Sequence, residues 1–387
     1  MSDFFKASVL HVALNPVTGP WSVMRELAKA QAASGLYAGV GVGLITYGDW
    51  PKQYEAELTA LNLPAFRART PRMFGTASFL WQRIQKPPIR RWVRELAAAT
   101  GAQSVVVHFH NAWLSGVFVP IGDTKRITVK TVATVHGVNA DFIGQPVRRW
   151  LHRWMAQRLM RFNVRLTSVD SQNPRVAETV FGIPRTKFSV VPNGVPAAQS
   201  IAPSRATRAE FLTVGHVGTL NRVKGWRLAA EGVMAARSTG RDIRFIVAGT
   251  GPDEPEVRRW ATQHPDWFEY AGFVHSPQTS ILPRLDAFVL MAEREGLPMS
   301  IIEAMSVGLP VISTAVGGIP DAVTNDRTGY LIPRDAGALA QVLCDAFDHP
   351  DKLCHMSEQT LRIFQEKFEI TKVVKAYDQI YNDGARL

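Results

Sequence analysis

The chain has 387 residues, of which 46% are hydrophobic and 20% charged, so wholesale disorder is excluded and more than one hydrophobic core is expected. Lys and Arg total 44 against 33 for Asp and Glu, and the resulting net charge of +11 favours anionic partners: phosphates, an acidic membrane face or nucleic acid. The two cysteines, Cys344 and Cys354, lack metal-ligand spacing, so we expect reduced thiols in a cytoplasmic protein.

The first residues, MSDFFKASVLHVAL, contain an acidic residue but neither a basic region nor a small-residue cleavage site. They are therefore predicted to begin a strand and not to act as a signal peptide. The best candidate for a membrane span, residues 35–48, is too short and too rich in glycine to cross a bilayer. Any membrane contact is therefore expected to be peripheral.

Strand-like apolar runs alternate with helical patterns along the chain. The first set comprises a helix at 22–34 and strands at 7–14, 104–110, 127–137, 165–171 and 188–194. Residues 195–211 are rich in Pro, Ala and Ser and are interpreted as a linker. The second set then has strands at 211–218, 243–251, 286–292 and 310–318.

This alternation predicts an α/β protein made of two Rossmann-like, doubly wound domains with parallel sheets, facing each other across a cleft. The predicted divisions are 1–200 for the first domain, 201–365 for the second, and 366–387 for a C-terminal helix that packs back on the first. Ligands of such sheets bind beyond the carboxyl ends of the strands.

The segment EREGLPMSIIEAMSVGLPVISTAVGGIPD, residues 293–321, follows one of these strands and places two glutamates eight positions apart. Pro298 suits a first helical turn, so residues 299–307 are predicted to be helical and to offer free N–H groups to a phosphate. A carboxylate can accept both hydroxyls of a vicinal diol. We therefore interpret Glu303 as a ribose ligand and Glu295 as a sugar ligand, with a diphosphate between them. Two solvated surface glutamates are the alternative.

The stretch EGLPMSIIE resembles the E-x7-E motif of the retaining family-four (group 1) glycosyltransferases, which have the GT-B fold. Weaker similarities follow in family order over nearly the whole chain: VVPNGV, VGTLNRVKG, VAGTGP, YAGFVHS and VGGIPDAVTNDRTGYLI. The resemblance implies an acceptor-binding first domain and a nucleotide-sugar-binding second domain. It also implies a hexosyl transfer from a UDP- or GDP-type sugar to a glycan or a polyprenyl-diphosphate-linked acceptor, as in bacterial surface polysaccharide biosynthesis.

The resemblance further implies the roles of individual residues. Lys224 would bind the donor diphosphate, Glu295 would contact the sugar and His136 would lie near the reacting carbon, and these are the expected catalytic residues. The expected donor-binding residues are Lys224 together with Gly19, Thr219, Arg222, Val274, Gly296, Leu297, Pro298, Met299 and Glu303. His108 and His110 resemble a strand end that borders the acceptor cleft, with a structural role as the alternative.

The resemblance also implies retention at the anomeric carbon, with front-face substitution as the favoured mechanism of such enzymes. No second carboxylate is evident that could act as a glycosidase-type nucleophile. Catalysis would then depend on positioning and on stabilising the leaving diphosphate. The sequence contains no Asp-x-Asp, which counts against a metal-dependent GT-A enzyme. Neither a metal nor another cofactor is expected, and no nucleic-acid-binding motif is present.

Two positions depart from the family pattern. Thr219 stands where the family usually has an arginine, and Arg222 would have to supply that charge from a neighbouring position. Pro20, which follows Gly19, has no N–H to offer a phosphate. These departures leave open an inactive homologue that binds a nucleotide sugar without turnover. A GT-B nucleotide-sugar epimerase is a further alternative.

Residues 145–166 carry six arginines and are interpreted as a basic amphipathic helix. One predicted face holds the apolar residues Val147, Trp150, Leu151, Trp154 and Met155. Since Trp and Arg together suit a lipid headgroup interface, the hypothesis is peripheral docking on the anionic inner face of a membrane. A solvated helix packed on its own domain is the alternative.

Overall fold

The computed structural model describes residues 6–14, 18–47, 52–70, 88–110, 116, 118–124, 126–137, 146–198 and 210–383. The chain forms two compact units, Met1–Pro192 with Val373–Leu387, and Asn193–Lys372. The boundary between the units, at Pro192 and Asn193, precedes the predicted linker at 195–211, and Val195 already belongs to the second unit. Its N–H donates to the Phe368 carbonyl at 3.1 Å, and its carbonyl accepts from the Ile370 N–H at 3.0 Å. Residues 199–209 of the linker and the predicted end of the first domain at 200 lie outside the described residues.

The first unit contains a parallel sheet in the order β3-β2-β1-β4-β5-β6-β7. Its strands are β1 (Ser8–Leu14), β2 (Gly39–Tyr47), β3 (Ala65–Thr70), β4 (Ser104–Phe109), β5 (Thr128–Val135), β6 (Arg165–Ser168) and β7 (Phe188–Val190). Its helices include α1 (Thr18–Ala33), α2 (Lys52–Leu61), α3 (Ile89–Thr100), α4 (Pro146–Arg161) and α5 (Gln172–Phe181). A short 3-10 turn, Arg185–Lys187, precedes β7.

The second unit contains a parallel sheet in the order β10-β9-β8-β11-β12-β13. Its strands are β8 (Leu212–Val217), β9 (Ile243–Ala248), β10 (Phe268–Gly272), β11 (Ala287–Leu290), β12 (Val311–Thr314) and β13 (Gly329–Ile332). Its helices include α6 (Trp226–Arg237), α7 (Glu254–Gln263), α8 (Pro277–Ser280), α9 (Met299–Ser306), α10 (Ile319–Ala322), α11 (Ala336–Asp348) and α12 (Pro350–Ile363). A 3-10 turn at Leu282–Arg284 and a π-helical turn at Phe364–Phe368 complete it. The last helix, α13 (Ile370–Asn382), begins in this unit, and most of it packs in the first.

Each predicted strand is present, and helix α9 matches its predicted span within one residue. Parallel sheets of this kind are covered by helices on both faces, and every residue of the three strands β8, β11 and β12 is buried. Strand β2 lies inside the stretch considered only as a membrane candidate. In the part of the chain that the structure describes, no helix is long and apolar enough to span a membrane.

Candidate active site

The second sheet has a topological switch point between β8 and β11. From β8 the chain proceeds outward to β9 and β10, and it then returns to place β11 on the other side of β8. Loops that follow the two central strands therefore diverge, and the space between them at the carboxyl edge is where doubly wound sheets bind ligands. Lys224 lies in the loop after β8, and Glu295 lies in the loop after β11.

The structure brings Lys224 and Glu295 into contact, and the Lys224 ammonium donates a hydrogen bond to the Glu295 carboxylate. The pair is largely withdrawn from solvent, with 28% of the lysine side chain and 9% of the glutamate side chain exposed. Burial raises the pKa of Glu295, and the positive charge of Lys224 partly opposes that rise. The switch point therefore holds a desolvated carboxylate whose charge depends on its lysine partner.

The turn that carries Lys224 is held against the end of β11. The Lys224 N–H donates to the Asn221 side chain at 3.0 Å, and the Glu293 N–H donates to the Val223 carbonyl at 2.8 Å. Gly225 has φ +74°, and a Cβ added to it would lie 2.0 Å from the Met291 carbonyl oxygen. Only glycine permits this approach, so Gly225 fixes the distance between the two loops.

The loop that carries Glu295 is held by the loop after β12 and by a buried amide. Gly317 has φ +54°, a Cβ on it would lie 2.0 Å from the Glu295 carbonyl oxygen, and the Gly318 N–H donates to the Gly296 carbonyl at 2.8 Å. The Asn193 side chain donates to the Leu297 carbonyl at 2.7 Å. These contacts set Glu295 just before Pro298, the N-cap residue of α9.

Some of the remaining predicted donor-binding residues lie next to this pair in the chain or in the same loops, and others lie elsewhere. Gly296 to Met299 lead directly from Glu295 into α9, with Leu297 and Pro298 buried and the other two half-buried. Thr219 and Arg222 lie in the Lys224 loop, where the Arg222 carbonyl accepts from Arg334 at 3.1 Å. Residues placed farther along the sheet or in the other unit are Glu303, half-buried on α9; Val274, after the edge strand β10; and Gly19, in the first turn of α1.

His136 follows β5 in the first unit and belongs to a group of histidines at that unit's own switch point, between β1 and β4. His11 on β1 is in register with His108 on β4. His110 lies 2.9 Å from His11 and 3.2 Å from His136, measured between ring nitrogens. Burial lowers the pKa of His11 and of His136 to about 4, so these imidazoles are neutral near pH 7.

Among the described residues, one group has the ligand atoms to hold a metal ion: His11, His108 and His110, whose candidate nitrogens lie within 4.8 Å of one another. Each nitrogen is already hydrogen-bonded. His108 contacts the Tyr381 hydroxyl and the Thr134 hydroxyl, both at 2.6 Å, and His11 contacts Gln31 at 2.6 Å. The arrangement is therefore a satisfied hydrogen-bond network.

Three buried polar residues were missed by sequence reasoning: His11, Gln31 and Asn193. His11 lies inside an apolar run that reads simply as a strand, and Gln31 is a lone amide in a helix. Their importance follows from contacts with residues about 20 and 99 positions away. Asn193 could have been found, because it belongs to VVPNGV, one of the stretches that carried the family resemblance.

The sequence matches two family models, one described as Glycosyltransferase Family 4 over residues 17–199 and one as Glycosyl transferases group 1 over residues 212–349. A 2-deoxystreptamine N-acetyl-D-glucosaminyltransferase of Streptomyces fradiae is 32% identical over 310 residues, which is 68% of this chain and 72% of that protein. The chain therefore belongs to the group 1 glycosyltransferases.

A second relative is the Escherichia coli K12 protein WcaL, which bears the name of a colanic acid biosynthesis glycosyltransferase. It is 33% identical over 197 residues, 48% of this chain and 45% of WcaL, so the match spans about half of that relative's length. The crystal structure of Anabaena Alr3699/HepE in complex with UDP superposes with a TM-score of 0.75 at 16% identity, covering 97% of this chain and 99% of that one. The expected GT-B fold is confirmed.

Proposed function

We propose that the protein transfers a sugar from a nucleotide-diphosphate donor to a hydroxyl of a glycan or lipid-linked acceptor, with retention at the anomeric carbon. The observation that carries this proposal is the buried Lys224–Glu295 pair, set between the two central strands of the second sheet and immediately before α9. A cation and a carboxylate at this position are suited to the two halves of a nucleotide sugar, the anionic diphosphate and the hydroxylated ring.

Donor binding would change the partners of both side chains. The diphosphate would accept hydrogen bonds from Lys224 and from the free N–H groups at the start of α9, where the helix dipole also favours negative charge. Glu295 would then be released to accept hydrogen bonds from sugar hydroxyls, and Glu303 would accept those of the ribose. In the absence of donor, the charge of Lys224 and its hydrogen bond to Glu295 partly offset the rise that burial causes in the pKa of Glu295.

In the proposed reaction, the acceptor oxygen bonds to the anomeric carbon as the bond from that carbon to the diphosphate oxygen breaks. The acceptor proton passes to the departing phosphate, and both events occur on the same face of the sugar. Lys224 and the start of α9 would stabilise the charge that develops on the leaving group, a contribution commonly worth about a hundredfold or more per contact. No metal enters this proposal.

The donor class is inferred from relatives. The Anabaena protein has been solved with UDP and also with UDP-glucose. The names of relatives refer to colanic acid and amylovoran biosynthesis. We therefore favour a UDP-sugar donor, with a GDP-sugar as the alternative, and an acceptor of bacterial surface polysaccharide assembly.

A lipid-linked acceptor would require access to a membrane surface, and helix α4 is the proposed docking element. Trp150 is 66% exposed, as docking requires, whereas Met155 is fully buried, so the predicted apolar face is divided between solvent and core. Arg158 donates to the Gly116 and Val119 carbonyls and therefore serves the fold. Flotation with anionic liposomes tests the proposal, and neutral liposomes serve as the control. We expect Trp150→Ala to weaken the association with anionic liposomes. Absence of the wild-type protein from the lipid fraction at low salt would contradict the proposal.

The function is tested by a binding screen of UDP-, GDP- and ADP-sugars, followed by assay of the tightest donor with candidate acceptors. We expect one donor class to bind, its affinity to fall in Lys224→Met, and transfer to continue in excess EDTA. NMR of the product anomer would establish retention. Binding without hydrolysis or transfer would favour the inactive homologue, isomerisation of the donor alone would favour the epimerase, and loss of transfer in EDTA would contradict metal independence.

A further inference from the structure

Three histidines of the first unit form a continuous hydrogen-bonded chain that starts at a buried glutamine and ends at His136. Gln31 Oε1 lies 2.6 Å from His11 Nε2, His11 Nδ1 lies 2.9 Å from His110 Nε2, and His110 Nδ1 lies 3.2 Å from His136 Nε2. Gln31, His11 and His110 are buried, while His136 is half-buried. We call these four residues the histidine relay. It leads from the core of the unit to the carboxyl end of β5.

The amide of Gln31 gives the relay a direction. Its Nε2 donates to the Tyr381 hydroxyl at 3.4 Å, so the atom that faces His11 is Oε1, which can only accept. His11 Nε2 must therefore carry a proton. A neutral imidazole has one N–H, so His11 Nδ1 accepts from His110 Nε2, and His110 Nδ1 accepts from His136 Nε2.

The hydrogen bonds along the relay keep one donor-to-acceptor direction only if every imidazole ring stays neutral. Burial lowers the pKa of His11 and of His136 to about 4, and it lowers the pKa of His110 well below the usual value, with the neighbouring histidines acting in the same sense. Near pH 7 each ring therefore has one donor and one acceptor nitrogen. The orientation of the Gln31 amide then determines the tautomer of His11, His110 and His136.

We propose that Gln31, His11 and His110 are positioning residues that hold His136 in the tautomer protonated on Nε2. Its Nδ1, which makes no hydrogen bond to the part of the chain that the structure describes, is then an acceptor and cannot donate. A group bound there must present a donor, as a hydroxyl does. The proposal rests on the proposed function only for the use of this nitrogen, because the tautomer is a property of the free protein.

His108 lies beside the relay but outside it. Its two nitrogens contact the hydroxyls of Tyr381 and Thr134, and its ring stacks on His110 with 4.3 Å between centroids. A metal held by His11, His108 and His110 would occupy nitrogens that the relay uses for hydrogen bonds. The relay and a metal site are therefore mutually exclusive, and one experiment can separate them.

The test is NMR of the full-length protein with ¹⁵N-labelled histidine near pH 7. We expect scalar coupling across two N–H···N hydrogen bonds, with the proton on His136 Nε2 coupled to His110 Nδ1 and the proton on His110 Nε2 coupled to His11 Nδ1. Protons on the Nδ1 atoms of these rings, or no coupling between them, would overturn the proposal. Stoichiometric Zn²⁺ binding with loss of the His11 and His110 N–H signals would also overturn it.

Gln31→Leu removes the acceptor at the start of the relay, and we expect loss of both couplings and a mixture of tautomers at His136. Thr167→Val is the matched control, since it removes a buried hydrogen bond of 2.6 Å to Thr134 in the same unit without touching the relay. An unchanged His136 tautomer in Gln31→Leu would contradict the proposal, and if that variant does not fold, the wild-type spectrum decides alone. These measurements need no substrate, so a protein without transferase activity can still confirm the relay and an active transferase can still contradict it.

Discussion

At the residue scale, the Lys224–Glu295 pair depends on mutual support. A carboxylate that is 9% exposed is costly to keep charged without a partner, and the raised pKa of Glu295 reflects that cost. The same desolvation strengthens any hydrogen bond that the pair makes to a substrate. Under the proposed function, a change to either residue should therefore affect both the stability of the site and its affinity for the donor.

Glu295→Gln and Lys224→Met are each expected to lower turnover at least about a hundredfold, because each removes a charged contact to the donor in the transition state. Steady-state rates with the donor identified by the binding screen check this. Glu293→Gln is the matched control, since it makes the same change two residues earlier on an exposed side chain and is expected to leave turnover unchanged.

The double variant provides a separate check on the pair. Because the two side chains contact each other, the combined loss should be smaller than the product of the single losses. Fully multiplicative losses would mean that the two residues act independently, and near-normal turnover in either single variant would remove that residue from the mechanism.

The spacing of the motif was enough to predict the positions of Glu295, Glu303 and Pro298, because a short helix after a strand fixes them locally. The contact between Lys224 and Glu295 required the sheet order, since the residues are 71 positions apart. The histidine relay could not be predicted from the sequence for the same reason. His11 and His110 are 99 positions apart and meet only because β4 pairs with β1.

At the element scale, glycines determine how closely the loops of the second sheet approach one another. Gly225 brings the Lys224 loop onto the end of β11, and Gly317 brings the loop after β12 onto Glu295. In the first sheet, Gly43 makes room for Trp92, whose ring would lie 2.7 Å from an added Cβ. Sequence reasoning took the glycines around Gly43 as evidence against a membrane span and missed β2, because their purpose is visible only once α3 is packed on the sheet.

Gly225→Ala is expected to destabilise the protein more than Gly240→Ala does. Both glycines have positive φ, +74° and +89°, so both variants incur a left-handed backbone strain of about 1–2 kcal/mol. An added Cβ meets nothing within 4 Å at Gly240, whereas at Gly225 it lies 2.0 Å from the Met291 carbonyl oxygen. Urea unfolding of both variants measures the difference.

Donor binding gives a second measure of the same effect. Gly225→Ala should also weaken donor affinity, since the displaced loop carries Lys224, while Gly240→Ala should leave it unchanged. Equal losses of stability in the two variants would mean that the close approach to β11 contributes nothing beyond the backbone strain.

At the scale of the whole molecule, both units bury neutral histidines beside their central strands. His11, His108 and His110 lie in the first unit, and His216 lies on β8 of the second, where its Nδ1 is 3.3 Å from the Val289 carbonyl. Burial lowers the pKa of His216 to about 4, and the charge of Lys224 acts in the same sense. Acid should therefore destabilise both units.

The direction of this pH effect follows from the number of protons bound by the folded and the unfolded chain. An unfolded histidine has a pKa near 6.5, so between pH 6.5 and about 4 the unfolded chain holds protons that folded His216 does not, and the free energy of unfolding falls as the pH is lowered through this window. His216 alone accounts for about 3 kcal/mol across it. We expect His216→Leu to reduce the dependence of unfolding free energy on pH between 4 and 6.5, measured by urea unfolding at a series of pH values. His355→Leu, which replaces an exposed histidine by the same residue, serves as the control variant. If His216→Leu leaves the wild-type pH dependence intact, the imidazole of His216 is not held neutral by its burial within the second unit.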